Sequence, residues 1–135
     1  MSADIKEIKN LLIQFGISNQ INPSNPAIIP ENAQNKIEEL LRKIDEGKIP
    51  VDTDFLIIQG NYFYHLGEYE KAIEIYDQVI LYDEQNIFVL HNKGLALESL
   101  GKYEEAITWY DKALEIEPDN DTALSGKREA LKALQ

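Results

Sequence analysis

Thr53–Asn86 and Ile87–Asn120 are each 34 residues long and align without a gap. Eleven positions are identical: Leu56 with Leu90, Gly60 with Gly94, Leu66 with Leu100, Gly67 with Gly101, Tyr69 with Tyr103, Glu70 with Glu104, Ala72 with Ala106, Ile73 with Ile107, Tyr76 with Tyr110, Asp77 with Asp111 and Asn86 with Asn120. Chance gives roughly two such matches, so the chain is built from one unit used twice. A unit this short cannot bury its apolar face alone and must stack on its neighbours.

The residue types inside the unit specify two helices. Phe55, Leu56, Phe63 and Leu66 recur at helical spacing up to Gly67, as do Val89, Leu90, Leu97 and Leu100 up to Gly101. A glycine there can take the left-handed geometry that ends a helix. A second helix is expected at once, over Tyr69–Tyr82 and Tyr103–Ile116. Gly60 and Gly94 fall inside the first helix, where glycine costs about 1 kcal/mol against alanine. Their recurrence predicts a close approach of the second helix, on which Ala72 and Ala106 are also small. Pro118 closes the second unit.

The strings GNYFYHLGEYEKAIEIYDQVI and GLALESLGKYEEAITWYDKALEIEPDN resemble tetratricopeptide repeats, strongly over 53–120. The departures are Gln59 and Lys93 at a place where the family often has leucine, Leu56 and Leu90 at its tryptophan place, Tyr62 at a small-residue place and Glu84 at the closing proline. The resemblance implies an all-α, right-handed superhelical solenoid of antiparallel helix pairs. It also implies that the first helices line a concave groove, in which extended peptides or partner helices bind. Carried over by register, the groove places are Asp54, Ile57, Asn61 and Tyr64 in the first unit, and Phe88, His91, Asn92, Leu95 and Glu98 in the second. Apolar groups beside two amides suit a partner with apolar anchors whose backbone is hydrogen-bonded by Asn61 and Asn92. The alternative is that these asparagines are structural. Tyr69, Tyr76, Tyr103 and Tyr110 are expected in the core between the two helices.

Some chaperone adaptors of the family grip a C-terminal carboxylate with two asparagines, two lysines and an arginine across three units. Asn61 and Asn92 match the amides, but Ile57, Thr122 and Gly126 stand at the cationic places. A carboxylate clamp is therefore not expected, because a desolvated anion would go uncompensated.

Two repeats rarely bury enough surface, so the flanks must complete the stack. Residues 121–135 read as a terminal capping helix, with Leu124, Leu131 and Leu134 on one side and Asp119 or Asn120 as N-cap. Residues 1–51 carry two more helical patterns, over about 3–16 and about 31–46, the second ended by Gly47 and Pro50. Shifting the 34-residue frame upstream puts Glu38 at the alanine place, so 1–51 reads as a decayed repeat, a cap or a separate appendage.

The formal charge is −11, and residues 52–120, with 4 basic and 15 acidic side chains, account for it. A field of that sign repels phosphate backbones and anionic lipid heads, so neither nucleic acid nor a membrane is an expected partner. The chain has no cysteine and only two histidines, His65 and His91, and it shows no phosphate-cradling loop or nucleophile motif. No metal, no cofactor and no enzymatic activity are expected. The amphipathic start of the chain is neither a signal peptide nor an anchor, and the expected setting is cytoplasmic. The function predicted is protein binding. Self-assembly through open repeat faces, giving a homo-oligomeric scaffold, is the alternative.

Residues 17–30 join the first two helices, and their ISNQINPSNPAIIP is uncharged and held extended by proline. With Ile21, Ile28 and Ile29 as anchors, the segment resembles the ligand inferred for the groove. The first expectation is a plain connector between two cap helices; the alternative is that the segment packs on the protein's own repeats or a neighbour's and competes with partners.

Overall fold

A computed structural model describes residues 3–23, 27–47 and 52–135, and all the regular structure among them is helical. The helices are α1 (Ala3–Gln14), α2 (Glu31–Gly47), α3 (Thr53–His65), α4 (Tyr69–Tyr82), α5 (Ile87–Ser99), α6 (Tyr103–Ile116) and α7 (Asp121–Ala133). The second helices begin and end where the apolar spacing puts them. Pro50, expected to close α2, lies outside the described residues.

The 34-residue period is visible in the helix starts. Asp52, Asn86 and Asn120 are the N-caps of α3, α5 and α7, and their side-chain oxygens accept from Phe55 N (2.7 Å), Val89 N (3.2 Å) and Ala123 N (2.9 Å). Each cap satisfies an amide that the first helical turn would leave without a partner. The period is equally visible in the helix ends. Gly67 and Gly101 have φ of 80° and 78°, and the amides that follow them, Glu68 N and Lys102 N, reach back to Phe63 O and Leu97 O at 2.9 Å.

Gly16 ends α1 in the same way, with φ 82° and Ile17 N donating to Leu12 O at 2.9 Å. One residue separates Gly67 from α4 and Gly101 from α6. After Gly16 the second helix does not start until Glu31, so residues 17–30 occupy the place of a one-residue turn. The first two helices thus pack as a pair joined by a longer segment.

Consecutive helices pack on each other from α3 to α7, and α1 packs on α2. The first helices of the pairs also touch in a row, α1 on α3, α3 on α5 and α5 on α7. Lys9 fastens α1 to the start of α3 through Asp54 (3.2 Å) and Asp52 (3.8 Å). The core forms two apolar clusters. One gathers Ile8, Leu12, Ile37, Leu40, Phe55 and Tyr76 from α1 to α4; the other gathers Leu90, Leu97, Tyr110, Ala113 and Ala123 from α5 to α7.

Two departures from the family pattern have physical explanations. The Lys93 ammonium lies 4.0 Å from the ring centre of Trp109 and pairs with Asp77, so its charge is held between an indole face and a carboxylate. Tyr62 is fully buried near Glu38 of α2, and burial, with that carboxylate, raises its pKa to about 12. A small residue there would leave a void between α2 and α3.

The helical glycines are contact surfaces. A Cβ on Gly60 would lie 2.5 Å from Tyr76 Cε1, and one on Gly94 would lie 2.5 Å from Tyr110 Cε1. Both tyrosines are fully buried, and Tyr76 is tied by its hydroxyl to Asn61 at 2.5 Å, so its ring cannot retreat freely. Gly60→Ala should therefore lower stability in urea unfolding by about 1–2 kcal/mol: overpacking outweighs the roughly 1 kcal/mol gain in helix propensity. A stabilised variant would show that the contact relaxes.

Candidate functional site

Asn61 on α3 and Asn92 on α5 are fully buried side chains on neighbouring helices of the row. Asn92 Nδ2 donates to Asn61 Oδ1 at 3.0 Å, and Tyr76 OH donates to the same oxygen. This arrangement fixes both amides and aims their remaining N–H groups outward. They meet the chain's own main chain: Asn61 Nδ2 donates to Ser18 O at 2.6 Å and Asn92 Nδ2 donates to Asn19 O at 3.3 Å.

Residues 17–23 therefore lie across the row of first helices. Ile21 is buried in the second apolar cluster, and with Leu95 it lines a cavity of about 680 Å³. Pro23, Thr122 and Gly126 border the same cavity, together with the carboxylates Glu98, Asp121 and Glu129. The chain then returns, and Ala27 N donates to Nδ1 of His65 at the end of α3 (3.2 Å). Ile29 is buried in the first cluster, but Ile28 is 86% exposed and anchors nothing. Of the three expected anchors, two are seated. Ser24, Asn25 and Pro26 lie outside the described residues.

The other expected groove residues fall around this segment. Ile57, His91 and Leu95 are buried, whereas Tyr64, Phe88 and Glu98 are half-buried. Tyr64 stacks edge-on against Tyr69 (5.3 Å) and His65 (5.6 Å), and Phe88 against His91 (6.1 Å). Asp54 stays exposed and serves the ion pair with Lys9. Glu98 accepts from Tyr110 OH at 3.0 Å, and burial raises its pKa.

Three participants escape a reading of the groove places alone. Tyr76 and Tyr110, expected in the core and fully buried there, also brace Asn61 and Glu98 with their hydroxyls. The signal available for them is the need of a buried tyrosine hydroxyl for a partner. His65 offers an acceptor to the returning segment, and nothing in its spacing announces that role.

Among the described residues, no group of three or more metal-ligating side chains is arranged to hold an ion, and no helix is long and apolar enough to cross a membrane. The site offers amide donors and a cavity of mixed lining, in which Ile21 and Leu95 stand beside carboxylates.

Stacked helix pairs with a row of first helices define an α-helical repeat protein. The tetratricopeptide repeat family models match residues 30–86 and 87–120, and the chain belongs to that family. The first match begins at residue 30 and so takes in α2. Solved structures show the same fold. The first TPR of Spaghetti (RPAP3), bound to the HSP90 peptide SRMEEVD, is 19% identical with a TM-score of 0.69, over 99% of this chain and 95% of that one. The second TPR domain of human RPAP3, in complex with the HSP70 peptide SGPTIEEVD, is 20% identical with a TM-score of 0.68, over 95% of each chain. The Arabidopsis OM64 TPR domain is 20% identical with a TM-score of 0.66, over 96% of this chain and 98% of that one. At these identities the likeness is one of fold. No curated protein matches the sequence significantly.

Burial lowers the pKa of His91 to about 4. The unfolded chain titrates near 6.5 and binds the extra proton first, so the stabilising effect of neutral His91 is complete above about pH 6.5 and fades as pH falls toward 4. The full loss is on the order of 3 kcal/mol. His91→Gln should therefore close part of its stability gap to wild type as urea unfolding is moved from pH 7 to pH 4.5. A gap constant with pH would rule this out.

Proposed function

We propose that the chain is a protein-interaction module, not an enzyme, whose groove binds an extended peptide or partner helix through apolar anchors. The observation that carries this reading is the pair Asn61 and Asn92, fixed to each other and donating to successive main-chain carbonyls. Donors of this kind grip a backbone whatever its side chains, and the adjoining cavity, with aliphatic Leu95 beside carboxylates, supplies selectivity. The RPAP3 domains of like fold hold peptides, which supports a peptide partner here.

The groove does not suit a carboxylate clamp. Ile57, Thr122 and Gly126 occupy the cationic places, and Glu98, Asp121 and Glu129 line the cavity beside the last two. With a net charge of −11, the molecule favours neither nucleic acid nor an anionic membrane, and a cytoplasmic setting fits. The partner-contacting residues in this reading are Ile57, Asn61, Tyr64, Phe88, His91, Asn92, Leu95 and Glu98, with no metal or cofactor. Residues 53–86 and 87–120 act as the two repeats, 1–51 as an N-terminal cap of helical type and 121–135 as the C-terminal cap.

Tyr64→Ala combined with Phe88→Ala should cut recovery of captured partners about tenfold against wild-type bait, since aromatic anchors dominate such interfaces. Unchanged recovery would sink the groove reading. In calorimetry, SRMEEVD should give no saturable heat at about 1 mM, the effective range of a weak contact.

Self-assembly has one observation in its favour. Leu124, Leu131 and Leu134 of the last helical segment are 39–47% exposed, an apolar edge open to a second copy. Light scattering should show mass rising with concentration if that edge pairs; a monomer at about 100 μM removes this reading.

A further inference from the structure

We infer that residues 18–23 are a built-in ligand of the groove, in exchange with an open state, and that they define the partner the groove accepts. The inference rests on the groove reading above and adds both the regulation of that site and the chemistry of its occupant.

Joining the first helices requires no such path. Three residues, 66–68, join α3 to α4, and three more, 100–102, join α5 to α6. Residues 18–23 instead run out across α3 and α5 to the cavity beside α7, and Ala27 lies back at His65. A connector that only bridged α1 and α2 would gain nothing from this detour.

The contacts are those of a displaceable ligand. Asn61 and Asn92 hold carbonyls, which any extended chain carries. Within 18–23 only Ile21 is buried; Ser18, Gln20, Asn22 and Pro23 are exposed. Ile17 is also buried, in the first cluster, and its amide closes α1, so it stays with that helix. From Ser18 onward the seat rests on the Ile21 anchor and the two main-chain hydrogen bonds, made sufficient by tethering at an effective concentration of about 1 mM. The segment also carries no charge, so it meets no repulsion in an acidic molecule.

The register gives the partner's pattern. The gripped carbonyls belong to Ser18 and Asn19, and the buried aliphatic side chain is Ile21. An outside partner must therefore present an uncharged extended segment with an aliphatic residue two positions after the second gripped carbonyl. To bind, it must expel residues 18–23, while Ile17 keeps its place at the end of α1.

The test uses the full chain and a fluorescent peptide ISNQINP, the sequence of residues 17–23. Ile21→Asp should leave helicity by circular dichroism unchanged and bind the peptide at least about tenfold more tightly than wild type, because the tethered competitor is lost. The control peptide ISNQDNP should bind neither. Equal affinity for the two proteins, or no binding to folded Ile21→Asp, overturns the inference. If Ile21→Asp does not fold, a second measurement decides. The chain lacks cysteine, so Gln20→Cys can carry a single environment-sensitive dye at an exposed place. Added ISNQINP should change its emission saturably, and ISNQDNP should not; no change at several times the roughly 1 mM effective concentration overturns the inference. If these tests fail while Tyr64 and Phe88 remain necessary for partner capture, the groove stands and only its built-in ligand is removed.

Discussion

The contact between a bare stretch of helix and a tyrosine ring organises this molecule. Gly60 has no side chain, so the ring of Tyr76 lies against the backbone of α3. That closeness brings the Tyr76 hydroxyl to Asn61, and the hydroxyl locks the carboxamide with its N–H group facing outward. Asn92 is locked in turn by Asn61. The same contact repeats one unit on, where the ring of Tyr110 meets Gly94, and its hydroxyl is spent on Glu98. Helix packing and the display of hydrogen-bond donors are thus two outcomes of one steric arrangement. A larger residue at either glycine would disturb both, since a ring pushed aside carries its hydroxyl with it.

Much of this was legible in the sequence because it is local and periodic. The 34-residue frame located α3 to α6, their glycine ends and the buried tyrosines, since each depends on residues a fixed distance apart. Asn120 as the N-cap of α7 was equally local. The pairing of α1 with α2 was hidden because the frame was moved without a gap. Gly16 ends α1 as Gly67 ends α3, but the insertion after it throws Glu38 into the alanine place. A comparison that anchors on the helix-ending glycine and lets the following turn vary in length would have found the pair.

The groove was partly legible. Its positions follow from the register, and the packing of 17–30 on the repeats follows from a neutral, proline-stiffened composition. The partition of its three isoleucines did not follow. Ile28 and Ile29 are adjacent and equally apolar, but only Ile29 is buried, because the main chain has already turned toward α2. His65 was invisible for a similar reason. Its contact with Ala27 joins residues 38 apart in the chain through a return path that no periodicity encodes. Lys93 and Tyr62, mismatches to the family pattern, became intelligible only with Trp109, Asp77 and Glu38 in place around them.

The insertion between α1 and α2 leaves its mark on how freely the chain can change. Within the repeats, most substitutions meet a neighbour one period away, so alterations there are coupled. Residues 18–20 answer to no such neighbour, because what Asn61 and Asn92 hold is carbonyl oxygen, present in every residue. Side chains along that stretch can drift while the backbone keeps its seat, provided one aliphatic group stays at the place of Ile21. Length is similarly free, since a loop grows at little entropic cost. The least periodic part of the chain is therefore the part in which the strength of self-occupancy can be retuned without touching the scaffold beneath it.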